Sequence, residues 1–289
     1  MIGNYSNEFA LIIDSFGPDG TRPLLTSFGA SFTPGFNAYG SYVTLIAGAS
    51  VTDDAYGILI NVNGIGLNTF ARDTNVTIGM DQAGGTAFTD TIIDLVTGCP
   101  CNSTSATDLL QGVQWFFPLF IKAGTSIGIK GSQNQATPTA GSSTVRLFCR
   151  PAHPESIRTG SRVVTYGAVP ASSCGTAITP GTTADGTYTQ LGTVAAGDAP
   201  WFWTVGCGLN NAAVPGGEAH YVDLAVGSST TVNKQIVTNE KWAVNTSEST
   251  MAVFEGANGT AAPGDLVYGR MQASGAVITG LSMAAYGVI

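Results

Sequence analysis

The chain carries the same turn motif twice. Residues 33–42 read Thr-Pro-Gly-Phe-Asn-Ala-Tyr-Gly-Ser-Tyr, and residues 179–188 read Thr-Pro-Gly-Thr-Thr-Ala-Asp-Gly-Thr-Tyr. They share the pattern T-P-G-x-x-A-x-G-[ST]-Y, 146 residues apart. The similarity continues downstream, where Gly124 with Ile127 and Lys130 recurs as Gly264 with Val267 and Arg270. A solenoid unit has about 20–50 residues, so a period of this length indicates a duplicated domain.

The repeat predicts how the chain is divided. We expect a first domain at 20–152 and a second at 153–289, with residues 1–19 as an N-terminal arm outside the repeat. The arm contains an apolar segment, Phe9–Ile13, for which the second half shows no counterpart. This segment is either a strand that docks on a neighbouring molecule or an extra strand of the first domain. Pro151 and Pro154 predict a stiff linker between the domains.

Composition and periodicity predict the fold class. Only 10% of the residues are charged, and the chain contains 38 glycines. Apolar residues alternate with other residues over many short segments, as in Ile58, Ile60 and Val62, and again in Trp201, Trp203 and Val205. Such alternation, interrupted by turn residues, is typical of antiparallel sheets that bury one face. We therefore expect an all-β protein with two tandem, duplicated antiparallel β-sandwich (jelly-roll-like) domains.

The charge pattern limits the partners. The net charge is −8 with eleven basic residues, and these form no cluster, so the chain lacks the basic surface that nucleic-acid binding requires. No apolar run reaches the roughly 20 residues that span a membrane, and Met1–Asn7 lacks the basic region of a signal peptide. Soluble monomers usually have about a quarter of their residues charged. The low charged fraction therefore favours a chain covered by copies of itself or by other proteins.

The residues that usually perform chemistry are scarce. His153 and His220 are the only histidines, and neither lies near a second candidate metal ligand. The sequence contains no G-x-S-x-G motif and no phosphate-binding loop. Asp53-Asp54, and Asp90 with Asp94, are interpreted as turn residues. The sequence predicts no catalytic residues, no cofactor and no metal site.

Aromatic residues are concentrated in the segment Trp115–Phe120. Because neighbouring residues of a strand face opposite ways, Trp115 and Phe117 lie on one face and Phe116 and Phe120 on the other. Both faces are apolar, so one face is expected in the core and the other at an interface. The segment Trp201–Trp203 supports the same argument. The candidate interface residues are therefore Trp115, Phe116, Phe120, Trp201 and Trp203, and the alternative is a platform on which sugars stack.

The order of these motifs resembles that of virion structural proteins of tailed bacteriophages. The opening T-P-G-x-x-x-x-G-S-Y is Thr33–Tyr42, and an aromatic-Pro-Leu segment followed by A-G-T-x-I lies within Phe117–Ile127. In the second half only the later part survives, as Ala262–Arg270. The resemblance implies a fold and a setting in a virus particle, and it implies no activity and no site residues.

These observations lead to one functional hypothesis and two alternatives. We expect a non-enzymatic structural component of a tailed phage particle, located in the virion at the neck, collar or tail. Its partners would be copies of itself, as a trimer or hexamer, and other virion proteins, without nucleic acid or membrane. One alternative is a capsid decoration or head-fibre protein. The other is a carbohydrate-binding module that recognises host glycans.

The cysteines provide the first testable prediction. Cys99 and Cys101 flank a single proline and cannot easily bond to each other, and they lie in a region of turn residues. A particle released into an oxidising medium can acquire disulfides that the cytosol prevents. We predict that one of these two thiols is free or bonded to a neighbouring chain. Non-reducing gels of particles should then show a dimer or larger band that a reductant removes. A single band, with both thiols unreactive before unfolding, would mean buried thiols.

Overall fold

The computed structural model describes residues 9–15, 29–63, 74–98, 113–134, 136–138, 140–168, 175–182, 184–209, 218–244, 252–273 and 281–289. These ranges contain nineteen strands, numbered β1 to β19 in chain order, and two short 3-10 turns, Gly48–Ser50 and Pro154–Ser156. No helix within these ranges is both long enough and apolar enough to cross a membrane.

The first ten strands form a sandwich of two sheets. One sheet has the order β1-β10-β5-β8, with β2 also on β10, and the facing strands run β4-β9-β6-β7, with the short β3 also on β9. Apart from the parallel pair of β3 and β9, all these pairs are antiparallel. This is the strand order of a jelly roll. The bounds are β1 (Phe9–Asp14), β2 (Ala30–Phe32), β3 (Gly35–Phe36), β4 (Val43–Ile46), β5 (Ala55–Asn63), β6 (Thr74–Asp81), β7 (Thr89–Gly98), β8 (Val113–Phe117), β9 (Ser126–Gln133) and β10 (Gly141–Pro151).

The remaining nine strands repeat this arrangement. One layer runs β11-β19-β14-β17, with β12 also on β19, and the other runs β13-β18-β15-β16. The strands are β11 (Val163–Tyr166), β12 (Thr176–Ile178), β13 (Thr189–Thr193), β14 (Phe202–Leu209), β15 (Glu218–Gly227), β16 (Asn233–Val244), β17 (Ala252–Asn258), β18 (Leu266–Ala273) and β19 (Leu281–Val288). The predicted fold class, all-β with two tandem antiparallel sandwiches, is confirmed.

The strands of the two jelly rolls pair in the same register. Residues at the same position of the two ladders are called counterparts below. Phe32 pairs with Gly141 in the first jelly roll, and Ile178 pairs with Leu281 in the second. The pair Ile78 and Ile92 recurs as Leu224 and Val237. Each jelly roll also has a bulge at the same place, at Asp94 (φ 55°) and Asn239 (φ 53°).

The segment Phe9–Ile13 does have a counterpart, contrary to the expectation from sequence. It forms β1, which pairs antiparallel with β10, as β11 pairs with β19. The relation is invisible in the sequence because an edge strand needs only apolar residues on its inner face, and many residue types satisfy that need. In the described structure, β1 is thus a strand of the first jelly roll. The domain boundary at 152/153 falls between β10 and the 3-10 turn Pro154–Ser156, and the stiffness of the linker remains a prediction.

The two jelly rolls are joined through their sheet edges. Strand β11 pairs in parallel with β7 at Val163 and Ile92, which makes a ten-stranded sheet out of one layer from each jelly roll. A second parallel bridge connects Leu119 to Gly160, where the Gly160 N–H donates to Pro118 O at 2.8 Å. We call these contacts the internal join.

The internal join brings the outer face of β19 into the first hydrophobic core. Ala284, Tyr286 and Val288 pack with residues of the first jelly roll, whereas Met283 and Ala285 face the second core. All eight residues of β19 are buried. The Tyr286 ring meets Phe117 edge-on with centroids 6.4 Å apart, and its hydroxyl accepts a hydrogen bond from Val96 N–H at 3.0 Å.

Removal of the Tyr286 hydroxyl should loosen the internal join. Tyr286→Phe leaves the buried N–H of Val96 without this acceptor, which costs about 1–3 kcal/mol in the free energy of unfolding. Tyr166→Phe is the matched control, because the buried Tyr166 hydroxyl has no hydrogen-bond partner among the described residues. Urea denaturation should show a loss for Tyr286→Phe and little change for Tyr166→Phe. Equal stability of the two variants would contradict the role given to Tyr286.

Candidate assembly interface

The aromatic strand β8 has one inner face and one outer face, as its alternation predicts. Trp115 and Phe117 are fully buried in the first core, whereas Phe116 is half-buried on the other side. The Phe116 ring packs edge-on against Phe148, with centroids 5.7 Å apart. Beyond the strand, Phe120 is 45% exposed and lies edge-on to Tyr56 at 5.6 Å.

The two tryptophans of the second candidate segment lie inside the molecule. Trp203 is fully buried in the second core, and its Nε1–H donates to Gly259 O at 2.7 Å. Trp201 belongs to the first cluster and lies under the Arg158 guanidinium, 4.3 Å from the ring centroid. Trp115 and Trp203 therefore stabilise the cores of the chain itself and offer no surface to a partner. Phe120 is the most exposed of the five candidate residues.

The candidate inter-chain thiols, Cys99 and Cys101, lie outside the described residues. Two other cysteines, Cys149 and Cys207, are free and buried. Burial raises the pKa of the Cys149 thiol to about 11 and also raises the pKa of Cys207. Both thiols are therefore protonated and unreactive at neutral pH.

A cluster of charged and aromatic side chains holds the motif loop of the first jelly roll against the sheet. Lys130 donates to the Asp90 carboxylate at 2.8 Å, and its Nζ lies over the Tyr42 and Tyr39 rings, 4.7 and 5.1 Å from their centroids. Tyr42 donates to Asp90 at 2.5 Å, and Tyr39 donates to Asp94. The loop is thus connected to β7 and β9 through one cation. We call this cluster the clasp.

The second jelly roll has its own clasp, with arginine in place of lysine. The Arg270 guanidinium lies 4.5 Å from the centroid of Tyr188, the counterpart of Tyr42. It forms ion pairs with Asp185 at 2.6 Å and with Asp223 at 2.7 Å. Gln235, the counterpart of Asp90, donates to the Tyr188 hydroxyl at 3.3 Å. The clasp has therefore kept its geometry while most of its side chains changed.

The glycines of the repeated motif allow the loop to turn back on itself. A Cβ on Gly40 would lie 2.7 Å from Thr33 O, and one on Gly186 would lie 2.7 Å from Thr179 O. The Gly40 N–H donates to Gly131 O and the Gly186 N–H to Met271 O, each at 2.9 Å. The motif is therefore a structural device that lays a loop on β9 or β18. The sequence contained a signal for the clasp, because Lys130 and Arg270 recur with the motif tyrosines.

The clasp contains four ionisable groups of the first jelly roll whose pKa values are shifted. Burial raises the pKa values of Tyr39, Tyr42 and Asp94. Burial alone would also raise the pKa of Asp90, but hydrogen bonds from Lys130 and Tyr42 bring it below the ordinary value. Each shift follows from a contact that holds the loop. Among the described residues, no three His, Cys, Asp or Glu side chains are grouped so that they could hold a metal ion.

Comparisons with known proteins add only weak structural similarities. No protein-family model matches the sequence, and no curated protein matches it. The tandem CBM22 domains of Paenibacillus barcinonensis Xyn10C are 10% identical, with a TM-score of 0.24, over 86% of this chain and 80% of theirs. The Broad Bean Stain Virus structure is 9% identical, with a TM-score of 0.29, over 94% of each chain. Infectious bursal disease virus is 9% identical, with a TM-score of 0.27, over 86% of this chain and 58% of that one. TM-scores this low carry no argument about function.

The clasp should contribute measurably to stability. Lys130→Met removes a partly buried ion pair and a cation–π contact, for which we expect a loss of about 1 kcal/mol in the free energy of unfolding at neutral pH. The exposed Lys122→Met is the control and should change little. Because the pKa of Asp90 is lowered in the folded chain, the advantage of wild type is present above about pH 4 and is lost as the pH falls further. Urea titrations at several pH values test this, and an effect that does not depend on pH would contradict the ion pair.

Proposed function

We propose that this chain is a non-enzymatic structural component of a virus particle that assembles as a homo-oligomer. The observation that supports the proposal is the internal join. One jelly roll of this type associates with the next through a parallel sheet edge and a shared apolar core. The chain is thus already an assembly of two similar units, and such units associate further when their remaining edges find partners.

The setting we propose is a tailed bacteriophage, with the chain at the neck, collar or tail. The motif order in Thr33–Tyr42 and Phe117–Ile127 supports this setting. Both segments have structural roles here, because the first forms the clasped loop and the second carries Leu119 of the internal join. Capsid decoration or a head fibre is the alternative position in the same kind of particle.

We propose copies of the chain and other virion proteins as partners, with no nucleic acid and no membrane. Three chains would present six similar jelly rolls, and six chains would present twelve, so that a trimer would have six similar units around its axis.

The absence of catalysis is part of the proposal. It is supported by the structural role of the shifted groups in the clasp, Tyr39, Tyr42, Asp90 and Asp94, which hold the motif loop. Carbohydrate binding is less well supported, because Trp115, Trp201 and Trp203 are buried. Of the five candidate residues, the exposed Phe120, which lies edge-on to the half-buried Tyr56, is the best placed for it.

Light scattering and particle composition test this proposal. The purified chain should form a complex of three or six copies, and Phe120→Asp should abolish assembly while the folded chain remains. Burial of an aromatic side chain contributes about 1.5–3 kcal/mol, and an unpaired buried charge is costly. The control is Gln190→Asp on β13, which is exposed and lies at the opposite end of its layer from β16, and this variant should assemble normally.

Three results would contradict parts of the proposal. A wild-type monomer at micromolar concentration would contradict the homo-oligomer. Absence of the chain from purified virus particles, measured by mass spectrometry, would contradict the structural role in the virion. Assembly that survives Phe120→Asp, together with a loss of glycan binding, would favour the carbohydrate-binding alternative.

A further inference from the structure

The internal join uses only one of two equivalent pairs of sheet edges. Inside the chain, the outer edge of β11 meets the outer edge of β7. The counterpart of β11 is β1, and the counterpart of β7 is β16. In the part of the chain that the structure describes, β1 pairs only with β10, and β16 pairs only with β15. Among the described strands, one edge of each type is therefore left over.

The exposed side chain of Ile12 indicates that the edge of β1 lacks a covering strand. Ile12 pairs with Phe148, and Val163 pairs with Val288, so Ile12 and Val163 are counterparts. Val163 is 0% exposed, because β7 covers it, whereas Ile12 is 39% exposed. A large apolar side chain on the outer face of a free edge strand is a recognised site of pairing with another chain.

We propose that β1 of one copy pairs in parallel with β16 of the next copy, in the register of the internal join. Ile12 would then lie beside Val237 of the neighbour, as Val163 lies beside Ile92 within the chain. The contact is head-to-tail, so repetition produces a closed ring or a filament. This inference rests on the proposed homo-oligomer and adds a pair of sheet edges to the contact predicted at Phe120.

Charge complementarity supports a second copy as the occupant. Next to Ile12, the edge of β1 carries Asp14 in an ion pair with Arg146, N–O distance 3.1 Å. On β16, exposed Glu240 and Lys241 replace the buried Leu95 and Val96 of β7. One acidic and one basic side chain therefore lie at each edge, with Arg146 on the adjacent β10, where the internal join has Thr165, Tyr286, Leu95 and Val96. The contact between copies is therefore sensitive to salt, and the charges keep both edges soluble before assembly.

The backbone orientation makes the contact accessible to a specific test. Ser15 N–H donates to Val145 O, and because N–H groups alternate along an antiparallel strand, the Ile12 N–H faces away from β10. On the other edge, Thr238 is the counterpart of Ile93, whose carbonyl accepts a hydrogen bond from Thr165 of β11. Because the N–H and C=O of one residue in a strand point to the same side, the Thr238 N–H is expected to face outward as well. A proline at either position removes an outward N–H, and edge strands tolerate proline at such places.

The experiment is a mixing test by light scattering. Ile12→Pro and Thr238→Pro should each be folded by circular dichroism and monomeric at concentrations where wild type is assembled. Each variant keeps one intact edge, so an equal mixture of the two should form a 1:1 dimer and nothing larger. Ile12→Thr and Thr238→Val retain the N–H groups and should assemble, with at most a tenfold loss of affinity.

The possible outcomes separate this inference from the proposed function. A monomeric wild type would contradict the homo-oligomer itself. Wild-type-like assembly of both proline variants would overturn the β1–β16 contact and leave the homo-oligomer standing. Two folded monomeric variants that fail to form a dimer when mixed would overturn the head-to-tail geometry. Assembly of wild type that is unaffected between 0.05 and 1 M salt, which spans Debye lengths from over 10 to about 3 Å, would contradict the charged contact.

Discussion

The arrangement of the whole molecule depends on β19 having two apolar faces. Met283 and Ala285 fill the second core, and Tyr286 and Val288, on the other face, would meet water if the second jelly roll stood alone. Burial of that second face in the first core is favourable by roughly 25 cal/mol per Å². Parallel pairing of β11 with β7 then satisfies backbone groups at the rim of the same contact. The two jelly rolls are consequently one folding unit in energetic terms.

Within each jelly roll, a single cation organises the outer face of the second layer. Lys130 and Arg270 each connect a loop tyrosine to carboxylates. The clasp also supports the bulge, because Thr77 and its counterpart Asp223 each accept the N–H of the bulged residue, Asp94 or Asn239. The two jelly rolls therefore share this geometry, although the second has arginine where the first has lysine and aspartate where the first has threonine. The duplication has kept contacts more faithfully than residues.

The sequence predicted the fold because duplication and period-2 alternation are local signals. The T-P-G motif and the alternation of Trp115, Phe116 and Phe117 both correspond to what the structure contains. The internal join was not predicted, since parallel pairing of two edges depends on tertiary packing that leaves no motif. A signal did exist in Leu281–Val288, which is apolar or small on both faces. The Trp201–Trp203 segment was misleading for the same reason, because a strand covered on both sides resembles one at an interface.

The residues at the internal join differ in chemistry from their counterparts at the two free edges. At the internal join the facing residues are Tyr286, Leu95 and Val96, which are fully buried. At the free edges the counterparts are Arg146, Glu240 and Lys241, which are stable in water without a partner. An apolar contact within one chain does not depend on the protein concentration, because the two halves are covalently linked. A charged contact of the same geometry is weak singly and becomes strong only when several close a ring. In the contact that we propose between copies, one geometry would be used twice, first to fold and then to associate reversibly.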